Sequence, residues 1–173
     1  MASIEVRQLT EQDWREYKRL RLASLQDAPD SFGSTFEKEQ LFTEATWRAR
    51  LTPATVTAQL PLVAFIDGTA VGLAFGVLHN SGDRCAHVYQ MWVANSARGQ
   101  GIGRLLLQKI LAWATHFNID EVNLLVTIDN AAAITLYQRL GFQARPELEP
   151  LRDGSKIMVQ AMVYKVGPLI PSD

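Results

Sequence analysis

This chain of 173 residues predicts one α/β domain, a mixed sheet with helices on both faces, spanning residues 1–173. Two changes of pattern carry that prediction. In the first half, apolar runs at 60–66 and 70–78 are joined by Asp67-Gly68, a dipeptide suited to a tight antiparallel hairpin. In the second half, a helix with apolar residues at helical spacing over 101–117 leads into a nearly all-apolar run at 121–128. Such a run suits a strand covered on both faces. A composition 47% apolar and 20% charged is that of an ordinary globular protein rather than a disordered one.

The elements follow in order. Residues 3–9 alternate at Ile4, Val6 and Leu9, a short strand with one slip. Thr10 and Asp13 then form a T-x-x-D start to a helix that turns Trp14, Tyr17, Leu20 and Leu25 inward and ends at Ala28-Pro29. Residues 30–39 are polar with scattered Phe32 and Phe36, a loop or broken helix. Thr43 caps a second short helix over 44–51. After the hairpin and the loop 79–84 comes a strand over 86–93. A helix over 130–140 is stopped by Gly141, and a final strand pair starts at Phe142 and runs over 156–166.

Several function classes are excluded or disfavoured. A net charge of -1 gives no reason to bind nucleic acid or an anionic membrane. Cys85 is alone, and no Cys/His cluster has metal-ligand spacing, so neither a disulfide nor a metal is expected. No leader-like or membrane-length apolar stretch is present, which points to the cytoplasm.

The most informative segment lies between the strand ending at Val93 and the following helix. It includes Arg98, Gly99, Gln100, Gly101, Ile102 and Gly103. Glycines let a ligand approach the backbone, and the first turn of a helix has N–H groups without internal partners, so this is an anion cradle in physical terms. Arg98 and Arg104 add positive charge. The spacing is wrong for a dinucleotide fingerprint, since the third glycine would fall on Arg104 or Leu106, and the G-K-[ST] of a nucleotide P-loop is absent. From the loop alone, phosphate binding and a merely tight turn both stay open.

R-G-Q-G-I-G after a strand resembles the [QR]-x-x-G-x-[GA] signature of the GNAT (GCN5-related) N-acetyltransferases. A second block, Asn130-x-x-Ala133-x-x-x-Tyr137-x-x-x-Gly141-Phe142, is similar to that family's later motif. The two blocks stand one helix and one strand apart, and the resemblance covers about 60–142. It implies the GNAT fold, whose central sheet is splayed in the middle, and transfer of an acetyl group from acetyl-CoA to a primary amine in a ternary complex.

The resemblance also assigns roles. The backbone of Arg98, Gly99, Gln100, Gly101, Ile102 and Gly103 would hold the coenzyme's pyrophosphate. Met91 and Val93 would pair with its pantetheine arm where a bulge frees the strand, and an amide near Met91 would polarise the thioester. Asn130 and Ala133 would flank the arm, and Tyr137 would protonate the leaving thiolate, a phenol near pKa ~10 giving to a thiol near ~8.5. Many family members carry a carboxylate where this chain has Gln90. His87 is the substitute base, placed by simple alternation on one strand face with Tyr89, Met91 and Val93. Glu37 and Glu39 are further candidates acting through water. With Phe32, Phe36 and Trp47 they suggest a pocket for a cationic small amine; a peptide amine, either a protein N-terminus or a lysine, is the alternative. A non-catalytic acyl-CoA-binding module is the rival from another class, and a homodimer is left open. Cys85, Trp92, Trp113, His79 and His116 are read as structural.

Overall fold

Alternation opens the chain as β1 (Ile4–Gln8), and Thr10 with Asp13 turns it into a helix, the Thr10 amide donating to Asp13 Oδ2 at 2.7 Å. The computed structural model describes residues 1–53 and 56–167. Residues 54–55 and 168–173 of the expected domain range lie outside the described residues. Helix α1 (Trp14–Asp27) buries Trp14, Tyr17, Leu20 and Leu25 as its spacing predicts, and Arg21 and Ser24 with them. The stretch expected as a loop or broken helix forms a single 3-10 turn at Pro29–Ser31 and a one-turn α2 (Phe36–Glu39). Helix α3 (Glu44–Leu51) starts where the Thr46 amide donates to the Thr43 hydroxyl at 3.2 Å.

Strands β2 (Ala58–Ile66) and β3 (Thr69–Leu78) form the hairpin, with Asp67 and Gly68 at φ 48° and 81°. There follow β4 (Cys85–Val93), α4 (Ile102–His116), β5 (Glu121–Thr127), α5 (Ala131–Leu140), β6 (Gln143–Pro150) and β7 (Met158–Lys165). The seven strands lie in the order β1-β2-β3-β4-β5-β7-β6. Every neighbouring pair is antiparallel except β4 and β5, which are parallel.

Two apolar layers flank the sheet. One joins α4 and α5 to it through Leu106, Ile110 and Tyr137; the other joins α1 and α3 through Tyr17, Trp47 and Phe75. Gly76 lets α4 sit close, since a Cβ there would meet Ile110 and Trp113 side chains at 3.1 Å. The sheet is incomplete at its centre. Strands β4 and β5 pair only at Cys85↔Glu121, Ala86↔Val122 and His87↔Asn123, and then part. This is the splayed mixed sheet with helices on both faces that the resemblance implies. On its other side β4 carries a bulge. Phe75 pairs with Tyr89 but Leu73 with Trp92, and Gln90 takes φ 56°.

Candidate active site

The parting of β4 from β5 leaves a cleft of about 1260 Å³. Along one wall the β5-facing backbone groups of residues 88–93 have no strand partner among the described residues. The wall runs into the glycine loop. Gly99 and Gly101 lie at φ 79° and 82°, where side-chain-bearing residues are strained, and a Cβ on either would meet nothing within 4 Å. Open space therefore borders the loop. Helix α4 has no side-chain cap, and its first intrahelical bond is from the Leu105 amide to the Gly101 carbonyl at 3.1 Å. The amides of Ile102, Gly103 and Arg104 are without partners among the described residues and stand at the positive end of a 15-residue helix. This is an anion cradle of the kind a pyrophosphate needs, and the unpaired β4 edge leads out of it as a chain-like arm would need. The residues present fit acetyl-CoA.

Two members of the expected loop behave differently. The Arg98 guanidinium turns away from the cradle. Its Nε donates to the Val93 carbonyl at 3.0 Å, its Nη1 to Asn95 Oδ1 at 3.3 Å and its Nη2 to Asp27 Oδ2 at 2.7 Å. Trp92, read as packing alone, donates its indole N–H to the same Asp27 oxygen at 2.9 Å. Arg98 is thus a strut between α1 and the loop, and Arg104, also exposed beside the cleft, is the loop arginine whose side chain has no hydrogen-bond partner among the described residues. Gln100 is exposed and does not line the cleft.

The bulge corrects the expected strand faces. His87 and Tyr89 pair with Val77 and Phe75, whose side chains belong to the α1 layer. Met91 and Val93 pack instead into the α4 layer. Gln90 inserts one extra residue, so His87 does not share a face with Met91 and Val93. It stacks on Tyr89 with ring centroids 5.7 Å apart, beside His79, whose Nε2 lies 2.9 Å from the Tyr89 hydroxyl. Burial, and then His79, pushes His87 below its ordinary value near 6.5, so the imidazole is neutral and able to accept a proton at neutral pH. Gln90 itself accepts a hydrogen bond from the Tyr17 hydroxyl at 2.7 Å, a link from α1 to the bulge that the sequence did not suggest.

On the opposite wall, Tyr137 is 6% exposed and lines the cleft, and burial pushes its phenol up to about 12. Asn130 and Ala133 line the cleft too, but Asn130 Oδ1 accepts from the Ala133 amide at 3.2 Å, capping α5. The walls close together near Gly103, where a Cβ would lie 3.0 Å from Leu136 and 3.2 Å from Met91. Tyr137, Met91, Val93, Ile102, Gly103 and Ala133 are therefore brought to one cleft from three elements.

The far end of the cleft is not the acidic pocket expected. Glu39 is fully buried. Arg21 grips it with Nε at 3.0 Å and Nη2 at 2.9 Å, and Arg50 Nη1 approaches at 2.5 Å. Burial pushes this carboxyl up, but Arg21, Ser34 and Arg50 outweigh it and hold it at about 2. Glu39 is consequently neither a base nor a free anion. Trp47 is core, and Phe36 and Glu37 face a separate hollow beside Arg152. Phe32 does line the cleft, under the Arg21 guanidinium at 4.8 Å from its ring centroid. The loop carrying it is pinned as a roof: Arg152 Nη1 donates to the Phe32 carbonyl at 2.7 Å, and the Thr127 hydroxyl to the Asp30 carbonyl at 2.8 Å. Arg21 went unnamed in the sequence reading; its one signal was a charge in line with the inward stripe of α1, and its partner stands eighteen positions on. Among the described residues, no group of three or more His, Cys, Asp or Glu is placed to hold a metal, and no helix is long and apolar enough to cross a membrane.

The profile of the acetyltransferase (GNAT) family matches residues 10–142. L-2,4-diaminobutyric acid acetyltransferase of Nocardia farcinica is 26% identical over 113 residues, covering 62% of this chain and 58% of that protein. The chain thus spans under two thirds of that relative's length. Among solved structures, a GNAT-family acetyltransferase from Streptococcus pneumoniae superposes with TM-score 0.76 at 22% identity, over 95% of this chain and all of that one. The spermidine N-acetyltransferase of Vibrio cholerae, solved with CoA and spermine, superposes with TM-score 0.74 at 20% identity, over 94% of this chain and 95% of that one.

Proposed function

The chain belongs to the acetyltransferase (GNAT) family, and from that premise we propose that it transfers the acetyl group of acetyl-CoA directly to the amine of a small acceptor. One observation carries the reading: an unpaired β4 edge runs straight into an uncapped helix N-terminus, with a buried phenol on the facing wall. Acetyl-CoA supplies the activated acyl group. The amides of residues 102–104 hold its anionic part, and the free backbone of residues 88–93 orients its arm. Backbone N–H groups around Met91 are the donors available to stabilise negative charge on the thioester oxygen.

Tyr137 donates the proton that the departing sulfur takes up. His87, neutral on the α1 side of β4, takes the proton that the amine loses, with Gln90 unable to do so. The pinned roof over Phe32 favours a small acceptor over a protein segment. The Nocardia relative and the Vibrio neighbour are named for small amines, and they differ in that only diaminobutyric acid carries a carboxylate.

The test is release of free CoA from acetyl-CoA against a panel of small amines and amino-terminal and lysine peptides. Turnover on small amines supports the reading. Stabilisation by acetyl-CoA with no turnover on any amine overturns it in favour of a binding module, and turnover confined to peptides overturns the small acceptor.

A further inference from the structure

We propose that the acceptor amine also carries a carboxylate, as an amino acid does, and that Arg21 and Arg50 read it; the inference rests on the acetyl-transfer reading above. Its origin is a charge imbalance. Glu39 is fully buried and needs one cation, and Arg21 already meets both its oxygens. Arg50 is the second guanidinium on that carboxylate, so the cluster holds one surplus positive charge. Arg21 is itself 4% exposed, and its Nη1 is buried without a hydrogen-bond partner. A buried donor on a charged group calls for an explanation, and stacking of the guanidinium on the Phe32 ring, 4.8 Å away, offsets its burial only in part.

Position supplies the second half. Arg21 and Arg50 both line the cleft. Arg21 lies one helical turn beyond Tyr17, on the same face of α1, and the Tyr17 hydroxyl touches Gln90 at the bulge. The Arg50 guanidinium carbon lies 5.9 Å from the Tyr17 ring centroid. The two arginines are thus one side chain removed from the bulge, where the acyl group and the attacking nitrogen must meet. That interval matches a compact molecule bearing its amine and its carboxylate on one short backbone. The other acids of the cleft do not cancel the charge. Asp27 is taken by Trp92 and Arg98, and Glu149 is exposed. Guanidinium groups are suited to carboxylates by their planar fork of donors.

The experiment compares acceptors in matched pairs that differ only by the carboxylate: ornithine with putrescine, lysine with cadaverine, phenylalanine with phenethylamine. The readout is kcat/KM at saturating acetyl-CoA. At least one carboxylated member should exceed its partner by ~10-fold or more. Arg21→Gln would strand Glu39 and could prevent folding, so the variant used is Arg50→Gln, at a side chain 27% exposed, which leaves the Arg21–Glu39 pair intact. In it the ratio within the preferred pair should fall ~10–100-fold. Equal or inverted preference in every pair overturns the inference while leaving acetyl transfer standing, and so does an unchanged ratio in Arg50→Gln. No turnover on any member while other amines or peptides are acetylated overturns this inference alone; no turnover on the whole panel, with acetyl-CoA still raising Tm, overturns the acetyl-transfer reading and this one with it.

Discussion

With its phenol at about 12, Tyr137 stays protonated through the range in which a rate is measured, so the donor role proposed for it contributes no pH limb below about 10. Tyr137→Phe should lower kcat by ~10²–10⁴-fold and leave acetyl-CoA affinity nearly unchanged, because the ring still packs against Phe142. Steady-state kinetics beside a coenzyme titration decide this, and equal losses in both would make the residue a positioning one. His87 titrates at the other end. Its lowered value means that the base form is present above a pH somewhat under 6.5, so the rate should rise with pH through that point. His87→Gln should remove this limb; a full pH–rate profile surviving in the variant would withdraw the role. Tyr137 was legible because its motif spacing is local to one helix. The side on which His87 projects was not, because the alternation fails at Gln90, a residue with no sequence mark of the positive φ it adopts.

The strand–loop–helix unit of β4 and α4 was the most legible element, since the glycines, the missing cap and the amphipathic run that follow one another in sequence also act together in space. Its sensitivity is equally local. Acetyl-CoA at about 100 times its Kd should stabilise the protein by ~2.7 kcal/mol, read as a rise in Tm. Gly101→Glu should abolish the rise by placing a carboxylate at the anion cradle. Since φ 82° strains any side chain there, Gly101→Asn, which tolerates that backbone, serves as the control and should keep part of the shift. A full shift in Gly101→Glu would move the cradle elsewhere. The α1–α2 region was the least legible. Arg21, Glu39 and Arg50 come from three helices, and Glu39 in sequence looks like any surface acid; only tertiary packing turns it into a buried counter-ion.

For the molecule as a whole, the same buried carboxylate sets an acid limit. Its value is held at about 2 against 4.5 ordinarily, so the folded state favours the ionised form. The resulting stability is complete above about 4.5 and is lost as pH falls toward 2, at most ~3–4 kcal/mol at ~1.4 kcal/mol per unit. Denaturant unfolding followed from pH 6 to 3 should show this decline, and Glu39→Gln should be less stable at pH 6 with a flatter dependence on acid. Parallel curves for the two proteins would show that Glu39 is not linked to folding. The order of the strands was only partly legible for the same reason as the arginine cluster: hairpins follow from neighbours in the chain, but the insertion of β7 between β5 and β6 is a long-range choice.

The opening of the sheet at its middle has one more consequence. A free strand edge on the rim of a sheet invites any passing extended chain to add itself, and proteins ordinarily blunt such rims. Here the adhesive edge is sunk inside the molecule, with α4 and α5 on one flank and the pinned loop on the other. That edge lies between β4 and β5, inside the strand order rather than at either rim, so a neighbouring molecule cannot extend the sheet from it. The fold can therefore leave a run of backbone uncovered without presenting it at a rim, where strand addition begins.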